Sequence, residues 1–313
     1  MFEGVSNGTM LIKSAVQVLR RHPNLLVPLL ICWLLYAPLL VAFKFHIPWK
    51  EMELATQCLV VFAAILLLSV VFTWSAFILL EFLRQIEMDE RPSLIRAVPT
   101  GLLNTLVALP IALVWAMIWF VLSVLEAIFS RNSGDDDFNA ENVAKTVAGF
   151  DDASLSGAFF RALKKGVRMI AFLIYPAIAW EKNGVSRSVK KGLAVAQTHK
   201  VEFGTGYVLT ELAGAIVFVP PAILFFVSSK FDVTFPDAVW FGTMVYCAFA
   251  WSFYLFLEQM FVSELYLWHL KWEKAVDIAV ASGDFEPKLA DVARPSVLDE
   301  VPDLKGLVGG NGS

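Results

Sequence analysis

Five stretches of this chain carry no charged residue over a membrane-scale length: Leu25 to Phe43, Leu54 to Leu80, Ala97 to Leu125, Leu212 to Ser229 and Ala238 to Leu257. A helix rises about 1.5 Å per residue, so about 20 apolar residues cross a hydrocarbon core of about 30 Å. Composition points the same way. Hydrophobic residues make up 58% of the chain and charged residues 17%, against about 45–50% and about 25% in soluble domains. The chain reads as an all-α integral membrane protein.

A sixth span is expected at 157–181, although only Met169 to Trp180 is free of charge there. The six expected spans are about 24–43, 54–82, 101–127, 157–181, 204–229 and 238–262, within a membrane domain covering 1–277. An acidic loop, 131–156, should lie outside the membrane, and a flexible tail, 278–313, on the other side. With the N-terminus cytoplasmic, sixteen basic residues fall on the cytoplasmic side and nine on the other. The positive-inside rule therefore places both termini in the cytoplasm of an inner-membrane, multi-pass protein. The N-terminus lacks the cleavage pattern of a signal peptide, so the first hydrophobic segment is expected to remain. Trp49, Trp180, Trp240, Trp268 and Trp272 fall near span ends, as an interfacial aromatic belt requires.

Short amphipathic segments precede pairs of spans. "TMLIKSAVQVLRR" sets Leu11, Ala15, Val18 and Leu19 on one face and Lys13, Gln17, Arg20 and Arg21 on another, as in a helix lying at the headgroups. "RPSLIRAV" and "GVSRSVKKGLAVAQTH" repeat that character, which suggests three helix-hairpin units.

The stretch "YPAIAWEKNGVSRSVKKGLAVAQTH", a proline-containing span leaving the membrane through an acid, a glycine and a serine-bearing basic helix, resembles a family of uncharacterised polytopic prokaryotic membrane proteins. "SAVQVLRRHPNLLVPLL" looks like the opening of the same family. The layout is also similar to the membrane domain found with glycerophosphodiester phosphodiesterases. That resemblance implies a six-helix inner-membrane protein. It carries over no activity, because no phosphodiesterase catalytic domain accompanies it, and the acidic insertion departs from the pattern.

The costly residues lie in "FFRALKKGVRMIAFLIYPAIAW", residues 159–180. Arg161, Lys164, Lys165 and Arg168 follow i, i+3, i+4, i+7 and fall in one arc of about 100°. Counted inward from Trp180, Arg168 lies about 18 Å deep, and a lipid-facing charge there costs from about 2.5 to over 10 kcal/mol. Three readings fit. The segment lies flat at the outer interface, with Asp135 to Asp137, Asp151 and Asp152 as neutralising partners. The stripe binds anionic lipid headgroups from an outward cavity. Or Arg168 forms an internal ion pair, with Glu211 or Glu126 as the expected partner. The opposite face, Phe159, Leu163, Gly166 and Ile170, suits lipid or a neighbouring helix.

Glu211 and Glu258 fall at similar depth and could form a proton or cation site, and Glu126 is a third candidate for an intramembrane polar site. The plainer reading puts Glu258 in the interface, and Glu81 and Glu126 at span ends, where a charge needs no further explanation. Pro28, Pro38, Pro110, Pro176, Pro220 and Pro221 interrupt apolar helices and predict kinks. Gly206, Thr210 and Gly214 repeat every four residues and mark a close helix-packing face.

The three cysteines, Cys32, Cys58 and Cys247, sit singly in apolar runs and read as packing residues. His22, His46, His199 and His269 stand at span margins, apart from one another in sequence, and no catalytic, phosphate-binding or metal motif is present. No cofactor, metal or nucleic-acid partner is expected. Membrane lipids and other membrane proteins are the expected partners. The leading reading is a non-enzymatic protein that binds lipid or a membrane partner through the stripe at the outer leaflet. The alternatives are a secondary transporter using Glu211 and Arg168, and a structural subunit of a larger membrane complex.

Overall fold

The computed structural model describes residues 2–48, 51–88, 90–129, 155–231 and 233–293, and among these residues there is no strand. Eight α-helices follow in order: α1 (Phe2–Arg21), α2 (Val27–Phe45), α3 (Leu54–Glu87), α4 (Leu94–Phe129), α5 (Leu155–Ala179), α6 (Val185–Thr198), α7 (Lys200–Phe231) and α8 (Asp237–Ser282). Four of them, α3, α4, α7 and α8, are long and apolar enough to cross a membrane. This is an all-α, multi-pass membrane architecture. α2 joins α1 across a bend of 110° at His22 and Pro23, so α1 lies across the end of α2. α6, the other free-standing amphipathic helix, has Ser188, Gly192 and Val195 as its buried face. "RPSLIRAV" does not form a helix of its own; from Leu94 onward it is the first turns of α4.

α5 is the innermost element. It packs against α3, α4, α6 and α8, and Ala171 to Ile178 is buried on every side. A helix shielded by neighbours rather than by lipid can carry charge, which is why α5 departs from the apolar pattern of the outer helices. Its C-terminal half is held by aromatic packing of Tyr175 on Phe77, by Tyr175 Oη against Thr73 Oγ1 (2.9 Å) and by Trp180 Nε1 donating to Leu80 O (3.2 Å).

The bundle has two unlike ends. One, here the packed end, joins α3 to α4 and α5 to α7 and carries the C-terminal segment. There Ser75 to Leu83 of α3 and Leu255 to Leu270 of α8 are buried on every face. At the other, open end, large apolar side chains point outward: Leu113, Met117 and Val121 on α4, Ile216 and Phe226 on α7, Phe241 and Met244 on α8. α8 has 46 residues and so runs about 69 Å, more than twice the thickness of a hydrocarbon core.

Several expectations change. Pro28 lies in the first turn of α2, where its missing N–H has no helical partner to lose, so it starts a helix rather than kinking one. Pro38, Pro110, Pro176, Pro220 and Pro221 do lie inside helices. Trp180 and Trp268 are buried core residues, not a surface belt; Trp49 lies outside the described residues. The described part of the tail, as far as residue 293, packs back on the bundle. Gly283 ends α8 in the left-handed region (φ 73°), and the chain turns back so that Leu289 is buried and Trp272 Nε1 and Trp268 Nε1 donate to Pro287 O (2.8 Å) and Val292 O (3.1 Å).

Candidate functional site

Three of the four stripe cations point inward, each onto an acid from a different helix. Lys164 Nζ donates to Glu126 Oε2 on α4 at 2.7 Å. Lys165 Nζ donates to Glu211 Oε2 on α7 at 2.7 Å and to Tyr207 O at 2.9 Å, and it lies 3.4 Å from Glu258 Oε1 on α8. Arg168 grips Glu258 with two bonds, Nε to Oε2 at 2.7 Å and Nη2 to Oε1 at 2.9 Å. The side chains of Glu126, Glu258 and Lys165 are 1%, 0% and 4% exposed.

The sequence reading therefore needs four corrections. Arg168 pairs with Glu258, not with Glu211 or Glu126. Glu258 is buried inside the bundle, where Arg168 neutralises it. Glu126, although near the end of α4, is buried against Lys164, and Glu81 is buried and held by Arg84 (2.6 Å) and Gln85 (3.1 Å). A buried carboxylate keeps its charge only where a cation and hydrogen bonds replace water, so each of these acids marks a partner that its neighbours in sequence do not reveal. The cation between Glu211 and Glu258 is the chain's own Lys165.

Aromatic groups complete the network. The Lys165 ammonium lies 4.7 Å from the Tyr207 ring centre and 5.4 Å from that of Tyr254, and Lys164 lies 5.8 Å from that of Trp119. The Tyr254 hydroxyl accepts from Arg168 Nη2 at 3.1 Å and donates to Glu211 Oε2 at 3.2 Å. The sequence reading missed both tyrosines, yet it contains their signal. Tyr207 stands four residues before Glu211 and Tyr254 four before Glu258, the spacing that puts two side chains on one helix face.

Small residues bring α7 close enough to α8. A Cβ at Gly214 would lie 2.6 Å from the Tyr254 ring, and one at Gly206 would lie 1.9 Å from Phe261 Cζ. The Gly206, Thr210, Gly214 face is buried, as expected, and it seats the tyrosine that joins Arg168 to Glu211.

The outward edge of the network is different. Glu211 is 64% exposed, and Oε2 takes both of its hydrogen bonds while Oε1 has no partner among the described residues. Arg161, one turn before Lys165, is exposed and likewise has no partner among the described residues. The expected neutralising partners, Asp135 to Asp137, Asp151 and Asp152, lie outside the described residues. Around this edge Phe159 and Leu163 of α5 and Val208 and Leu212 of α7 are exposed.

A second polar cluster lies at the packed end, where two histidines far apart in sequence come together. His199 Nε2 meets His269 Nδ1 at 2.9 Å, and His269 Nε2 meets Glu273 Oε1 at 3.1 Å. Lys191 bridges Glu273 Oε2 and Glu181 Oε2, both at 2.9 Å, and Tyr266 donates to Glu181. Burial works against the Lys191 ammonium, but its bonds to Glu181 and Glu273 outweigh that and raise its pKa. Burial, with His269 beside it, lowers His199 to about 4. A recess of about 390 Å³ opens next to this chain, between His199, Glu202 and Trp272 and the C-terminal residues Glu286 and Lys288. No group of residues suited to a metal ion occurs among the described residues.

Comparison with known protein families, with curated proteins and with solved structures finds no match.

Proposed function

We propose that this chain is a non-catalytic inner-membrane protein that binds a membrane amphiphile at the outward edge of the α5 ion-pair network. The observation that carries this reading is Glu211: a carboxylate 64% exposed on a helix lined with exposed apolar residues, tied on its inner side to buried Lys165. A carboxylate facing hydrocarbon is costly, so this position calls for a polar group arriving from the membrane. The apolar side chains beside it suit acyl chains. The cationic stripe enters this reading in reduced form, because Lys164, Lys165 and Arg168 are neutralised internally, which leaves Arg161, unpaired among the described residues, to meet an anion.

In the same reading α2 and α5 join the four long helices as spans, giving six. The hairpins α2–α3, α4–α5 and α7–α8 form three related units, with α1 and α6 at the cytoplasmic interface. Both termini are cytoplasmic, which puts the open end toward the outer leaflet, in keeping with the distribution of basic residues.

The test is the lipid that stays with the purified protein, counted by native mass spectrometry. Retained phospholipid should fall at least about fivefold when Arg161→Gln and Glu211→Gln are combined, a coupling of about 1 kcal/mol. Equal retention by the folded double variant refutes the site.

One observation favours a second reading. Lys165 fills the space between two carboxylates, as a transported cation would, which fits a secondary transporter coupled through Glu211. Proteoliposomes holding an internal pH dye should then show proton flux under an imposed gradient, and Glu211→Gln should abolish it. Equal flux in both, or none in either, excludes that reading.

A further inference from the structure

We infer that the outward edge of the network selects a phospholipid whose headgroup carries a phosphate and a primary ammonium, a zwitterionic aminophospholipid. The inference rests on the amphiphile-binding reading and adds the chemistry of the headgroup. Two exposed groups of opposite sign stand on neighbouring helices, Arg161 on α5 and Glu211 on α7. Arg161 lies four residues before Lys165 on the same side of α5, about 6 Å further along the axis. Lys165 in turn holds Glu211 at 2.7 Å. The guanidinium offers a planar set of donors that suits phosphate oxygens. Glu211 Oε1 offers an acceptor, since Lys165 and Tyr254 both bind Oε2.

An ammonium two methylenes from a phosphate can meet both at once. Its N–H groups form charge-assisted bonds to Oε1 while the phosphate rests on Arg161. The other common headgroups each lose one contact. A trimethylated ammonium has no N–H to donate. A headgroup with a phosphate and no cation brings its charge against the Glu211 carboxylate. Buried Lys165 and half-buried Arg168 cannot turn outward to help, because each is already committed to an internal acid.

The occupant approaches from the bilayer. Phe159 and Leu163 on α5 and Val208 and Leu212 on α7 are exposed around the charged pair, so acyl chains lie along apolar side chains while the headgroup reaches inward. α7 meets α5 here through side chains, with Tyr207 Oη donating to Ala162 O at 2.8 Å. The edge between these two helices is therefore a seam of side chains rather than a tightly packed backbone contact.

The experiment uses the full chain in detergent, mixed with equal amounts of phosphatidylethanolamine, phosphatidylcholine and phosphatidylglycerol of one acyl composition, and counts bound lipid by native mass spectrometry. Phosphatidylethanolamine should be retained at least about fivefold over each of the others. Glu211→Gln should remove the preference over phosphatidylcholine, and Arg161→Gln should reduce retention of all three. Arg161 is exposed and without a partner among the described residues, so its substitution leaves the fold intact, and melting temperature confirms that for both variants. Retention of phosphatidylglycerol or phosphatidylcholine equal to that of phosphatidylethanolamine, still dependent on Arg161, overturns the headgroup assignment and leaves the amphiphile site standing. Retention that neither substitution changes overturns both.

Discussion

The two polar clusters of this protein are built from the same residue types and sit in opposite surroundings. At the packed end, Lys191 bridges Glu181 and Glu273, with a side chain 21% exposed and carboxylates 20% and 41% exposed. In the α5 network, Lys164 and Glu126 are 6% and 1% exposed. Water can replace a lost partner in the first case and cannot in the second. The same kind of bond is thus a modest contributor near solvent and a condition of folding inside the bundle. Within the network the contrast recurs on a smaller scale, between sealed Glu126 and Glu258 and open Glu211.

That contrast can be broken by substitution. Lys164→Met leaves the Glu126 charge without its cation and should cost about 3–5 kcal/mol, read as a large drop in melting temperature in detergent. Adding Glu126→Leu should restore stability to within about 1 kcal/mol of the parent, since an apolar pair of similar size serves as well. If the single variant melts like the parent, the pair is not sealed from water. Gly206→Ala comes next. Its Cβ would lie 1.9 Å from Phe261 Cζ, and separating α7 from α8 should cost about 1–3 kcal/mol.

Glu211→Gln takes the nearer acid from buried Lys165 but leaves Glu258 at 3.4 Å, so it should cost less stability than Lys164→Met, while the lipid-binding measurement changes sharply. A large loss of stability instead would place Glu211 with the structural acids. Trp272→Phe removes one hydrogen bond to the C-terminal segment and should cost about 1 kcal/mol, seen as faster proteolysis within 284–293.

The packed end also responds to pH. His199, faced by His269, Trp272, Glu202, Glu273, Glu286 and Lys288, takes up its proton near pH 4 in the fold instead of near 6.5. Between those values the unfolded chain binds more protons, so stability falls as pH drops from about 6.5 to about 4 and levels off below. His199→Gln should flatten that window, and an unchanged slope would assign the acid sensitivity to other groups.

Much of this was legible in the residues. The helices α2, α3, α4, α7 and α8 each contain one of the charge-free runs, because the apolar part of a span must be long enough to cross the hydrocarbon. The stripe on α5 and the small-residue face of α7 were visible from spacing alone. The partners were not. Lys164 and Glu126 are 38 residues apart, Arg168 and Glu258 are 90, and His199 and His269 are 70. Periodicity reports which face of one helix a residue occupies and is silent on what that face meets. Glu81, Glu126 and Glu258 were misread for that reason: a position near the end of an apolar run resembles an interface until a neighbouring helix covers it.

The sequence by itself determined the solvent, the helical class and the energetic demand, since charges set into an otherwise apolar helical run must find partners. Tertiary structure alone decided which acids answered that demand, and that Glu211 would do so with one oxygen turned outward. The physical reason is range. Hydrophobic burial acts through local composition, while an ion pair is specific within a few ångströms, and only the packed bundle brings residues from α4, α7 and α8 that close to α5.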